Sequence, residues 1–230
     1  MLRAPVPPGT DGVHPPDLLM AASVRGIIFD FGGVILDMRW DVCRALEEQH
    51  DLPRGSVFTT LYRCEAWQAV ERGTGDREAW LTGAHRALED IAGRGLPPLH
   101  LEWRSATGLI TDNIDLIRKL RPAYRLGILS NADETLRTRL IQDLKIADLF
   151  DDVVCSAEVG LAKPDPEIYA LACARLRVPA EACVFVDDHE PNVAAAARAG
   201  LRAVLYRVDR GDDLKALLAA QGVSANERED

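Results

Sequence analysis

The feature that most restricts how this chain can fold is the way two hydrophobic periods take turns along it. Short apolar runs occur at residues 24–29 (V-R-G-I-I-F), 124–129 (Y-R-L-G-I-L), 153–155 (V-V-C), 183–186 (C-V-F-V) and 203–206 (A-V-L-Y). Each is too short for a helix, and such runs are what strands buried on both faces look like. Between them lie stretches with helical spacing of apolar residues, at 114–120, 134–144, 166–176, 191–199 and 213–220. Strand followed by helix, repeated, predicts right-handed crossovers and a mostly parallel α/β sheet covered on both faces. In such a sheet, ligands gather beyond the carboxyl ends of the strands.

Residues 39–110 break this rhythm. They contain almost no strand-like run but several helix-like ones, at 40–49, 56–62 and 76–91, so a helical insertion is expected there. A chain of 230 residues is long for one ordinary domain and short for two. That fits a main unit made of residues 23–38 and 111–223 with the insertion between them. The four tryptophans, Trp40, Trp67, Trp80 and Trp103, all fall in or at the start of the insertion. They read as the filling of a small helical core, or alternatively as an aromatic wall over an active site. Residues 1–22 are proline-rich and read as a flexible leader, with Met20 an alternative start, and 224–230 read as a polar tail.

Composition narrows the partners. Apolar residues make up 47% and charged residues 27%, which excludes a disordered or collagen-like chain. Basic residues number 27 against 36 acidic, a net charge of −9, so neither nucleic acid nor an anionic membrane is an expected partner. Any anion must be caught by a local group. The apolar stretch at 18–24 is too short to span a membrane. Five cysteines, odd in number and without a C-x-x-C, argue against a disulfide framework or a zinc site and for a reducing cytoplasm.

Four groups of polar residues follow four of the expected strands: Asp30 with Gly32-Gly33, Ser130-Asn131, Lys163-Pro164, and Asp187-Asp188-His189-Glu190-Pro191-Asn192. A carboxylate at a strand tip is rigidly held and able to attack an electrophile, and two glycines let the backbone turn and approach a ligand. Taken singly, each group has an ordinary reading. Asp30 suits a turn, Ser130-Asn131 an N-cap opening a helix, and Lys163 a solvated surface. Pro164 favours extended backbone at Lys163, with Asp165 as N-cap and Pro166 as the first position of the next helix. Adjacent carboxylates at Asp187 and Asp188 repel unless a cation compensates, and magnesium prefers such oxygen ligands. Together the four groups point to an active site.

The order F-D-F-G-G-V, L-S-N, K-P-D-P-E-I-Y and F-V-D-D-H-E-P-N resembles the haloacid dehalogenase superfamily, over about residues 24–210 and in all four of its motifs. The resemblance implies a Rossmann-like three-layer core with an inserted helical cap of the C1 type. It implies that Asp30 is a nucleophile forming an aspartyl-phosphate and that Ser130 and Lys163 hold the phosphoryl group, with Gly32, Gly33 and Asn131 beside them. Asp30, Asp187, Asp188 and the Gly32 carbonyl would bind Mg2+, with Asn192 behind them. The substrate implied is a small phosphorylated metabolite, and the oligomeric state stays open.

The sequence departs from the superfamily's phosphatases at one position, where Gly32 stands in place of a second aspartate that serves as acid and base. A general acid typically contributes about 10² to 10⁴ in rate, so substrates with good leaving groups, anomeric sugar phosphates among them, are favoured. His189 or His85 are candidate substitutes for the acid. Two other readings compete with a phosphatase: a metal-free 2-haloacid dehalogenase using Asp30, and a non-catalytic phosphate-binding or regulatory protein.

Overall fold

The structure, a computed structural model, describes residues 23–225. Its strands are β1 (Gly26–Phe29), β2 (Leu36–Asp37), β3 (Gly108–Leu109), β4 (Arg125–Ser130), β5 (Asp152–Cys155), β6 (Cys183–Asp187) and β7 (Arg202–Leu205). Five of them form one parallel sheet in the order β5-β4-β1-β6-β7. These five match the apolar runs to within two residues at each end, the usual uncertainty of a boundary. The remaining two, β2 and β3, pair antiparallel through Leu36–Leu109 and Asp37–Gly108. Two residues per strand leave no readable alternation, so neither strand of this pair stood out as an apolar run in the sequence.

Alternate residues of each strand serve opposite faces. Ile27, Phe29, Val184 and Val186 join one buried cluster, and Ile28, Leu129 and Phe185 join another. The first cluster is closed by α6 (Thr111–Leu120), α7 (Leu136–Thr138) and α11 (Leu214–Ala219), which contribute Ile117, Leu136 and Leu218. The second is closed by α9 (Pro166–Leu176) and α10 (Glu190–Arg198). Pro166 opens α9, where a missing N–H costs nothing, and Ile168, Tyr169, Ala172, Cys173 and Leu176 fall on the buried face at helical spacing. A single turn, α8 (Ser156–Val159), follows β5.

Between β2 and β3 lie α1 (Trp40–Gln49), α2 (Ser56–Tyr62), α3 (Glu65–Val70), α4 (Arg77–Ala92) and α5 (Leu99–Ala106), which share a third hydrophobic cluster. Asp76 caps α4 by accepting the Ala79 N–H at 2.6 Å, and Gly93 ends it at φ 65°. Trp80, Ala84 and Leu88 recur every fourth residue on its buried face. The wholly buried indoles of Trp80 and Trp103 donate to the carbonyls of Leu61 and Met38, each at 2.6 Å, so neither leaves a polar atom unpaired. Glu47 is also buried. Its two carboxylate oxygens accept the N–H groups of Gly55 and Val57 at 2.8 and 2.9 Å, satisfying the start of α2.

The stretch 134–144 was expected to be one helix. It is a short α-turn that passes into five residues of π-helix, Arg139–Asp143. All five cysteines are free. Among the described residues no helix is long and apolar enough to cross a membrane. The expected leader and Met20 lie outside the described residues, as do residues 226–230 of the expected tail. Ser224 is described and donates its N–H to the Tyr124 hydroxyl at 3.0 Å.

Candidate active site

Strand register brings the first and last polar groups together. Phe29 pairs with Val186, so Asp30 and Asp187 stand level at the carboxyl edge, and the Asp30 N–H donates to the Val186 carbonyl at 2.8 Å. The chain leaves β1 toward β4 and β5 on one side and returns to β6 and β7 on the other. The loops therefore diverge at β1, which is where an open α/β sheet forms its crevice. A cavity of about 810 Å³ opens there, bordered by Asp30, Ser130, Lys163 and Asp188 below and by residues of α1 to α3 above.

The loop after Asp30 folds back on itself, with the N–H groups of Ile35 and Leu36 both donating to the Phe31 carbonyl. Gly33 has φ 75°, and a Cβ there would lie 2.2 Å from Asp188 Oδ2. Backbone and packing both demand glycine at this position. Gly32 is under neither demand: its φ is not left-handed, and the nearest atom to an added Cβ would be Met38 Sδ at 3.4 Å.

Lys163 is buried, not solvated, and its Nζ lies 2.9 Å from Asp30 Oδ1 and 2.6 Å from Asp187 Oδ2. Asn131 holds the lysine's backbone on both sides: its Oδ1 accepts the Lys163 N–H at 2.8 Å and its Nδ2 donates to the Lys163 carbonyl at 2.9 Å. This replaces the N-cap reading of Ser130-Asn131, since the next helix begins only at Leu136. Asp165 sits at the N-cap position of α9 without a side-chain capping bond and pairs instead with Arg72 at 2.8 Å.

Asp187 and Asp188 divide their work. Asp187 is wholly buried and engaged on both oxygens. Oδ1 accepts the His189 N–H at 2.8 Å and Asn192 Nδ2 at 3.2 Å, while Oδ2 accepts Lys163 and, at 3.1 Å, Asn192 Nδ2. Asp188 lines the cavity. One oxygen from each of Asp30, Asp187 and Asp188 lies within 4.8 Å of the others. Three carboxylates thus confront one ammonium. Burial first, then the charges of the neighbouring aspartates, push Asp30 up to about 7 and Asp188 up to about 6, against the pull of Lys163. Burial opposes the charge on Lys163, but Asp187 and Asp30 outweigh it and hold the ammonium above its ordinary range. The shortfall of positive charge and the all-oxygen donor set fit a hard divalent cation.

Of the two histidines considered as a substitute acid, His189 lines the cavity with Nε2 3.5 Å from Arg63 Nη2. His85 does not border the cavity and lies 3.5 Å from Glu89 on its own helix. The tryptophans split between their two readings. Trp80 and Trp103 fill the helical core, Trp67 does so and also borders the cavity, and Trp40 lines it. Sequence reasoning missed Tyr62, Arg104, Asp133 and Arg139, which line the outer cavity. Asp133 lies in the loop after β4, beyond the Ser130-Asn131 pair, and the other three follow no strand tip, so position along the chain gave those three no signal.

The family model for haloacid dehalogenase-like hydrolases matches residues 24–200. The (S)-2-haloacid dehalogenase 4A of Burkholderia cepacia is 26% identical over 207 residues, covering 83% of this chain and 85% of that one. The phosphorylated carbohydrates phosphatase of Thermotoga maritima is 36% identical over 115 residues, 50% of this chain and 52% of that one. A HAD-family enzyme of Bacteroides thetaiotaomicron, solved with magnesium and inorganic phosphate, shares the fold with a TM-score of 0.63 at 20% identity, covering 85% of this chain and 99% of that chain. Acyl-CoA dehydrogenase family member 10 of Mus musculus is 28% identical over 207 residues, 85% of this chain, and the chain spans only 19% of its length.

Proposed function

The chain belongs to the haloacid dehalogenase-like hydrolase family, and from that premise we propose that it is a magnesium-dependent phosphatase acting on a small phosphorylated metabolite through a phosphoryl group carried on Asp30. The observation that carries this reading is the set of three carboxylates, two buried and the third lining the cavity, gathered around a single lysine. Displacement of halide from a haloacid would require no such set. Asp30, Asp187 and Asp188, with the Gly32 carbonyl, would hold the cation. When bound, it supplies charge that lets a carboxylate approach a dianionic phosphate.

The chain's own residues account for the rest. Asp30 Oδ1 is held by the Phe31 N–H at 2.6 Å and by Lys163, which leaves Oδ2 to attack phosphorus. The bond from phosphorus to the leaving oxygen breaks as the bond to Oδ2 forms, and water then releases inorganic phosphate from Asp30. Ser130 and Lys163 would take the phosphoryl oxygens. Asn131 presents Lys163 and Asn192 orients Asp187, and the Gly33 N–H is already given to the Leu36 carbonyl. Phosphoryl transfer asks for little beyond such positioning and charge neutralisation. The helices α1 to α5 would act as a cap that keeps out bulk water and selects the leaving group. The Thermotoga maritima phosphatase supports the reaction class, the Bacteroides thetaiotaomicron complex supports the metal, and the cysteine pattern supports a cytoplasmic location.

Purified protein is expected to release phosphate from an aryl phosphate with magnesium and not in a chelator, and Asp30→Asn is expected to abolish release. Gly32 and the Burkholderia cepacia relative favour a second reading, metal-free dehalogenation. Chloride release from 2-chloropropionate that persists in chelator, with no phosphate release, would establish that reading instead. Binding of phosphate without either reaction would leave the non-catalytic one.

A further inference from the structure

Past the three carboxylates, the cavity reaches a wall with more positive charge than its own acids balance. Asp133 is buried there, and its Oδ1 is committed to the N–H and hydroxyl of Thr135. Only Oδ2 remains, and Arg77 Nε at 3.3 Å and Arg104 Nη2 at 3.8 Å share it. Arg139 has no carboxylate within ion-pair distance among the described residues. Its Nη2 donates to the Thr107 hydroxyl at 2.9 Å, and its guanidinium lies 5.7 Å from the centre of the Phe31 ring. Asp143, the other acid near it, is exposed to solvent.

Six arginines line the cavity, and the two on this wall, Arg104 and Arg139, are held in place by what they touch. Arg104 lies 5.7 Å from the Trp80 ring, and Trp80 is fixed in the helical core. Arg139 opens the π-helix, a local widening that re-aims a side chain and recurs at functional sites. Burial, followed by the charge of Arg104, draws the Arg139 guanidinium below its ordinary range, so an anion arriving between the two relieves a cost already present. Tyr62 lines the same wall, and burial keeps its phenol protonated and able to donate. Phe31 is bonded to Asp30, so Arg139 borders the ring next to the nucleophile.

We propose that Arg139 and Arg104 form a receptor for a second oxyanion on the substrate, so that the substrate class is a small phosphorylated metabolite carrying an additional carboxylate or phosphate. This deepens the phosphatase reading and rests on it for the word substrate, but the receptor can be measured without turnover. A guanidinium meets either oxyanion through the same paired donors.

Titration calorimetry on the full chain with magnesium would compare propylphosphonate, 3-phosphonopropionate and propane-1,3-diphosphonate, which carry one anionic group, an added carboxylate and an added phosphonate. At least one two-anion probe is expected to bind about tenfold or more tightly than propylphosphonate, a gap of about 1.4 kcal/mol. Whichever probe shows the larger gap identifies the second anion. Arg139→Gln is expected to shrink the gap to within about threefold, and Arg139→Lys to restore part of it. Equal binding of the three probes by the unaltered protein, or no binding of any, overturns the receptor without needing a variant to fold. A gap that survives both Arg139→Gln and Arg104→Gln overturns it as well. A protein that shows the gap yet releases no phosphate from an aryl phosphate keeps the receptor and loses the phosphatase reading, and the reverse result does the opposite.

Discussion

Gly32 and Gly33 carry the same side chain under opposite constraints. An aspartate at 32 has room, with only Met38 Sδ close by, whereas any Cβ at 33 collides with the Asp188 carboxylate. Gly32→Asp is therefore expected to fold normally and to raise turnover of alkyl phosphates by up to about 10² to 10⁴, with a smaller gain on aryl phosphates. Steady-state kinetics on both ester types would check this, and no gain on either would show that the missing acid is not what limits the site. Gly33→Ala is expected to lose magnesium-dependent activity, because Asp188 must move. Individual residues were legible in the sequence where a strand tip fixed their position, as at Asp30 and Asp188, whereas Lys163 lies beyond α8, eight residues past the end of β5. What could not be read was which of two adjacent aspartates faces the cavity, or that Asn131 would clamp the lysine's backbone. Both depend on which atoms fold against them.

Elements were legible where their hydrophobic period ran long enough to be seen. The helix α4 shows this, with a capping aspartate, a terminating glycine and Trp80, Ala84 and Leu88 in phase. Trp80→Ala is expected to cost about 3–5 kcal/mol of stability by denaturant unfolding, from lost burial and the cavity left behind. A loss below about 1 kcal/mol would mean that the helical core does not depend on this ring. Glu47→Ala should cost about 1–3 kcal/mol, since it strands the buried N–H of Val57 and the half-buried N–H of Gly55 at the start of α2. No pattern in the sequence marked Glu47 as buried, because a glutamate on a helix ordinarily faces water. The π-helix at Arg139–Asp143 was equally hidden, since one extra residue in a turn barely disturbs a 3.6-residue period.

At the scale of the whole molecule, an acidic chain with a net charge of −9 folds so that six arginines and Lys163 line the cavity beside Asp30. The helices between β2 and β3 are tied over that cavity by Arg72–Asp165 at 2.8 Å and by Glu71–Asn131 at 3.2 Å. These pairings join residues 93 and 60 positions apart, which is why no local reading could foresee them. The charge arrangement also sets a pH dependence. Asp30 and Asp188 titrate at about 7 and about 6 in the folded, metal-free chain, and an unfolded aspartate does so near 3.9. The folded state binds more protons between those limits, so metal-free stability falls as pH rises from about 4 to 7. Magnesium is therefore expected to raise the melting temperature more at pH 8 than at pH 5, and an equal or absent shift would show that these carboxylates do not hold it. Phosphoryl transfer to Asp30 is tested most directly by rapid acid quenching of the enzyme with a ³²P-labelled aryl phosphate, followed by peptide mapping. A magnesium-dependent, hydroxylamine-labile label on Asp30 is expected to form before free phosphate appears. Phosphate released with no protein-bound label at any time, or a label mapped to another residue, would contradict that transfer.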